Sequence, residues 1–138
     1  MRKLVFLYNK NMENINLATM MASVAILLGI FVLNLVVGMY YGFGVRHYWF
    51  FQTLHFLGGF FVAMFFSSFF SSVSLILISL GIISILWESA EFLIASAPTL
   101  SRYIKSKFRL KSVNYEWKDG LFDLALNFTG AILFLYLF

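Results

Sequence analysis

The chain has 138 residues, of which 62% are hydrophobic and 20% aromatic, with 18 phenylalanines and a formal net charge of +4. This apolar share exceeds the roughly 45–50% of soluble domains and predicts an integral membrane protein whose length fits one domain, residues 1–138. No cysteine is present, which excludes disulfides, thiolate-bound zinc and thiol nucleophiles.

The N-terminus does not read as a cleavable signal. Arg2 and Lys3 precede a short apolar run, Leu4–Tyr8, which Asn9, Lys10, Asn11, Glu13, Asn14 and Asn16 then interrupt. No small-residue cleavage pattern follows, so residues 1–16 are expected as a short interfacial segment. Four runs of membrane-spanning length come next, at about 17–41, 48–70, 73–97 and 115–138. A span needs roughly 20 apolar residues, and a helix satisfies its own backbone in lipid. The expected fold is therefore all-α, a bundle of four transmembrane helices.

The uncharged Ser67-Ser68-Phe69-Phe70-Ser71-Ser72 stretch predicts a tight hairpin between the second and third spans. Pro98 ends the third, because proline disfavours helix in the residue before it. Tyr40, Tyr41, Tyr48 and Trp49 bracket the first loop as an aromatic belt, and Tyr115 and Trp117 do so at the start of the last helix. Arg102, Lys105, Lys107, Arg109, Lys111 and Lys118 fall in the connection between the third and fourth spans. With Arg46 they put seven of the ten basic residues on one side, which predicts that loops one and three are cytoplasmic. A basic loop between spans meets anionic headgroups rather than nucleic acid.

Three of the six acidic residues, Glu88, Glu91 and Asp123, lie within apolar runs. A charge in hydrocarbon costs about 2.5–3.5 kcal/mol on insertion scales, so such groups face a partner or a cavity. Glu88 and Glu91 are three apart on one helical face. Asp119, Asp123 and Asn127, spaced by four, form a stripe on the last helix that Gly130 continues. His55 precedes Gly58 and Gly59, small residues that allow close helix packing. His55, Glu88, Glu91, Asp123 and Asn34 all fall roughly 9–14 Å below the same surface at 1.5 Å per residue. Four helices thus supply polar groups to one layer.

Carboxylates with a histidine match a divalent metal. His55, Glu88, Glu91 and Asp123 are the expected ligands, Asp119 a ligand or general base, and Asn127 a group that orients substrate or water. Arg102, Lys105, Lys107 and Arg109 would recruit a phosphate or an anionic lipid headgroup. The expected activity is hydrolysis or transfer on a lipid-linked or phosphorylated substrate. Plainer readings stand beside it. Glu91 snorkels, Asp119 is a solvated first-turn residue, and His55 is a core histidine with one hydrogen bond. Two deep carboxylates still need protons, cations or basic partners. A proton or cation transport component, homo-oligomeric, is one alternative. An accessory subunit of a larger membrane complex is the other.

His55-Phe-Leu-Gly58-Gly59, Trp87-Glu88-Ser-Ala-Glu91 and Asp119-Gly-Leu-Phe-Asp123-Leu-Ala-Leu-Asn127-Phe-Thr-Gly130-Ala131 occur in that order. The combination resembles the YjdF family of uncharacterised membrane proteins. More distantly, it is similar to VanZ-like proteins, which are linked to glycopeptide antibiotic tolerance. The likeness runs from about His55 to the C-terminus. It implies a polytopic protein with an Asp/Glu/His cluster, and a prokaryotic plasma membrane is the expected location. Those families carry more spans upstream, and an Asp ahead of the histidine that Val45-Arg46-His47 does not supply.

Overall fold

A computed structural model describes the backbone of residues 2–110 and 116–138, and the side chains of residues 17–110 and 116–138. All regular structure among the described residues is helical. Helix α1 (Arg2–Leu33) passes into a π-helical segment (Asn34–Tyr40). The short α2 (Phe43–Arg46) precedes α3 (Tyr48–Ser67), α4 (Val73–Ser96), α5 (Pro98–Phe108) and α6 (Trp117–Leu137). Four stretches are long and apolar enough to cross a membrane: Leu17–Tyr40, α3, α4 and α6. The chain is a four-helix transmembrane bundle, as its composition predicts.

Several boundaries move for local reasons. Helix α1 starts at Arg2, so the segment expected as a separate tail continues the first helix. The first span then leaves α-helical winding at Asn34, where the Tyr41 N–H bonds to Val36 O, five residues back, at 3.0 Å. Gly42, at φ 70°, stops it in a left-handed conformation that glycine adopts without penalty. The second helix ends at Ser67 rather than residue 70. Ser67 Oγ and Ser68 Oγ donate to Met64 O at 2.7 and 3.4 Å. In lipid these hydroxyls replace the water that would otherwise satisfy a helix end.

Pro98 does close α4, and it also opens α5 at a position where its missing N–H is no loss. The basic connection is therefore largely a helix, not a loop. Leu100, Ile104 and Phe108 recur every four residues, opposite Arg102, Lys105 and Ser106, which makes α5 amphipathic. Lys111 and Tyr115 lie outside the described residues, and the last helix begins at Trp117.

The bundle is organised by inward stripes of period about four. Helix α3 contributes His55, Gly59 and Ala63. Helix α4 contributes Ile76, Leu80, Ser84 and Glu88, all buried. Helix α6 contributes Asp123, Asn127, Ala131 and Phe134, also buried. In each stripe one end is apolar and the other polar. Because α3 and α6 run parallel and α4 runs opposite to both with its stripe in reverse order, the apolar ends meet in a core of Ala63, Ile76, Leu80, Ala131 and Phe134. The polar ends meet at the opposite pole.

Helices α3 and α6 make the closest pairing. A Cβ at Gly59 would run into the Asn127 carbonyl, and one at Gly130 into the Phe56 carbonyl. Small residues at this seam let the two backbones touch, which is how helices associate where lipid removes the hydrophobic drive between them. Helix α1 packs chiefly on α3, and its described side chains, from Leu17 on, are mostly exposed, as a lipid-facing surface would be.

Candidate metal centre

His55 lies seven residues into α3, Glu88 eight residues before the end of α4, and Asp123 six residues into α6. At 1.5 Å per residue these depths are about 9–12 Å from one end of the bundle. One ligand atom from each of the three lies within 4.8 Å of the others. His55 Nε2 is 3.5 Å from Asp123 Oδ2. Glu88 and Asp123 are each only 8% exposed, so both carboxylates are withdrawn from bulk solvent.

Hydrogen bonding around this group is one-sided. Both Glu88 carboxylate oxygens and Asp123 Oδ1 are buried without a donor, as are Asn34 Oδ1 and Gln52 Oε1. The Gln52 side chain does bond to Asp123. A buried acceptor left unpaired costs roughly 1–3 kcal/mol, and a charged one more. Five acceptor oxygens without donors are a strongly cation-seeking environment.

His55 and Asp123 line a cavity of about 530 Å³, while Glu88 lies behind them and does not line it. Asn34, Leu35 and Met39 of the π-helical segment form one wall, with Phe31 before them. Phe51, Gln52 and His55 come from α3, and Trp87, Ala90, Glu91 and Ile94 from α4. Asp119, Gly120 and Asp123 of α6 complete the polar side, while Ile104 and Leu110 close the end where α5 sits. The π winding sets Asn34, Leu35 and Met39 on the cavity side. π-Helical turns occur often at functional sites. Phe51 is held by the absence of side chains at Gly38 and Gly44, since a Cβ at either would overlap its ring.

The expected site residues separate into three positions. His55, Glu88 and Asp123 come together as one potential ligand set. Glu91 lines the cavity beside them but is not part of that set; its carboxylate takes a hydrogen bond from the Trp87 side chain. Asp119 sits further out, where Tyr48 Oη donates to its Oδ1 at 3.2 Å. Asn127, expected to orient substrate or water, is buried beside Gly58 and does not line the cavity. One helical turn beyond Asp123 carries it into the α3–α6 seam.

Of the residues expected to hold a headgroup, Arg102, Lys105 and Lys107 lie on α5, and Arg109 caps it at φ 52°. No Lys or Arg among the described residues lines the cavity. Arg46 is committed to the first loop, where its guanidinium donates to Gly42 O at 3.3 Å and Tyr41 O at 3.5 Å. Gln52 was not evident as a site residue from sequence. Its signal is position, three residues before His55 on the same helical face.

No protein-family model matches the chain, and neither a curated protein nor a solved structure matches it.

Proposed function

We propose that the chain is a small membrane-embedded hydrolase or transferase, dependent on a divalent metal, that acts on a lipid-linked or phosphorylated substrate. The observation that carries this reading is the donor-poor cluster: His55, Glu88 and Asp123 converge, with both Glu88 oxygens and Asp123 Oδ1 unpartnered. One histidine and two carboxylates are a ligand set suited to a borderline or hard divalent ion. Three protein ligands leave a coordination position free for chemistry. Such an ion supplies Lewis acidity and makes water a nucleophile near neutral pH.

The chain's own residues would do the rest. Gln52 orients the Asp123 carboxylate from α3. Glu91 would serve proton transfer, because among the cavity carboxylates outside the ligand set it shares the helix of Glu88, one turn away. Asp119, fixed by Tyr48, guards the outer end. The likeness to YjdF-like and VanZ-like proteins accords with an Asp/Glu/His cluster and adds no reaction.

Elemental mass spectrometry on the purified protein tests the metal. About one divalent ion per chain is expected, together with a loss of thermal stability in chelator. A metal at 100 times its Kd stabilises a fold by about 2.7 kcal/mol. Less than a tenth of an equivalent, with stability unaltered by chelator, would remove the proposal.

A cation or proton pathway is the second reading, favoured by a cavity lined by Glu91, Glu116, Asp119 and Asp123 with no Lys or Arg among the described residues. It predicts ion- or pH-driven flux in liposomes that Glu88→Gln abolishes. Equal traces from the two proteins would exclude it.

A further inference from the structure

The cavity has a side as well as an end. Helix α4 packs on α3 and α6, and α1 packs on α3, whereas among the described residues α1 and α4 have little or no close backbone contact. They are bridged instead by a ring contact. Phe31 and Trp87 meet edge to face, with centroids 6.1 Å apart. Both rings line the cavity, and both remain substantially exposed, at 43% and 37%. A residue with one face on a cavity and the other on the lipid surface is a door rather than a wall.

The cavity is also polarised across its width. Toward the first span and α4 it presents mostly apolar groups, Phe31, Leu35, Met39, Ala90 and Ile94, with Asn34 and Glu91 as the polar exceptions. Toward α3 and α6 it presents Gln52, His55, Asp119 and Asp123. This is the profile of an amphiphile lying with its chain between α1 and α4 and its polar part at the ligand set. A volume of about 530 Å³ is within the range of small-molecule sites, roughly 300–1,000 Å³. Among the described residues no Lys or Arg lines the cavity itself, but α5 brings them to its end. Ile104 and Leu110 touch the cavity, while Arg102, Lys107 and Arg109 of the same segment are exposed. Basic residues at that level attract anionic headgroups.

We infer that the cleft between α1 and α4 is a lateral entrance through which an anionic bilayer phospholipid slides past Phe31 and Trp87, its acyl chain in the cleft and its headgroup under α5. This names the substrate class of the site above and rests on that reading. It makes the bilayer, not the aqueous phase, the source of substrate.

The test uses the full chain in nanodiscs with phosphatidylglycerol carrying a diazirine on its acyl chain. After illumination, label is expected to concentrate in residues 31–39 and 87–94, at least fivefold over outward residues such as Leu28 and Ile85. Because the chain has no cysteine, Phe31→Cys with Trp87→Cys gives a unique pair. Bridging it with a reducible bis-thiosulfonate should cut cavity labelling at least fivefold, and reductant should restore it. Ala90→Trp, which fills the cleft without a cross-link, should do the same. A phosphatidylcholine probe should label less. Label spread evenly over α1 and α4, unaffected by either closure, would overturn the entrance. Metal is counted on the same samples: focused labelling without metal supports the entrance and overturns the metal reading, whereas metal with unfocused labelling does the reverse.

Discussion

Glu88→Gln, Asp123→Asn and His55→Ala are each expected to abolish stoichiometric metal binding, while Glu91→Gln and Asp119→Asn leave it in place. The division follows from geometry. The first three residues place ligand atoms within 4.8 Å of one another, and the other two stand outside that set. Loss of an outer-shell partner costs roughly 10–100-fold in metal affinity, so loss of one of three ligands should exceed that. Elemental analysis and isothermal calorimetry read the effect directly. The two carboxamide variants keep the shape of the side chain, so a folding defect is not the expected cause of failure. Glu88→Gln also supplies a donor to a position that has none, and on stability alone it should be neutral or favourable in chelator. If Glu91→Gln removed the metal as completely as Glu88→Gln, the assignment of ligands would be wrong.

The second large effect concerns the α3–α6 seam. Gly130→Ala would drive a methyl group into the Phe56 carbonyl, with Phe60 N only 2.9 Å from the same point. Those are backbone atoms, so no rotamer change can relieve the overlap, and the helices must part. Overpacking a core costs typically about 1–3 kcal/mol, and a backbone collision belongs at or above the top of that range. Gly59→Ala should match it, since its Cβ meets the Asn127 carbonyl. Two neighbours serve as controls. Gly58 faces only Asn127 Oδ1, at 3.7 Å, and a Cβ at Gly29 would meet nothing within 4 Å. Gly29→Ala should raise stability slightly, because alanine is favoured over glycine in helices by about 0.8–1.0 kcal/mol. Thermal unfolding in one detergent ranks all four. Similar midpoints for Gly130→Ala and Gly29→Ala would show that the seam is looser than described.

The four spans were legible because each is a long apolar run, and lipid leaves helices few alternatives. The common depth of His55, Glu88 and Asp123 was legible too, since residue counts from span ends convert to distance. Face was harder. Asn127 shares a stripe with Asp123, but a further turn along α6 moves it past the cavity into the glycine seam. Glu91 shares a face with Glu88, but one turn nearer the helix end moves it toward Trp87. The change to π winding at Asn34 has no simple sequence mark, so the wall it builds could not be foreseen. Helix α5 was hidden by its charges: Arg102, Lys105, Lys107 and Arg109 drew the eye from the Leu100–Ile104–Phe108 spacing. Phe31 and Trp87 looked like any of the many aromatic residues, because pairing across two helices is visible only in three dimensions.

The opposite pole of the bundle also has a consequence. Leu80 and Ile76 are 1% and 3% exposed, Ala63 and Ala131 fully enclosed, and Phe60 and Phe134 cross edge to face at 5.3 Å. That packing closes the bundle at this pole: among the described residues the core stands between His55, Glu88 and Asp123 and the Ser67–Ser72 turn, and the cavity lies wholly on its other side.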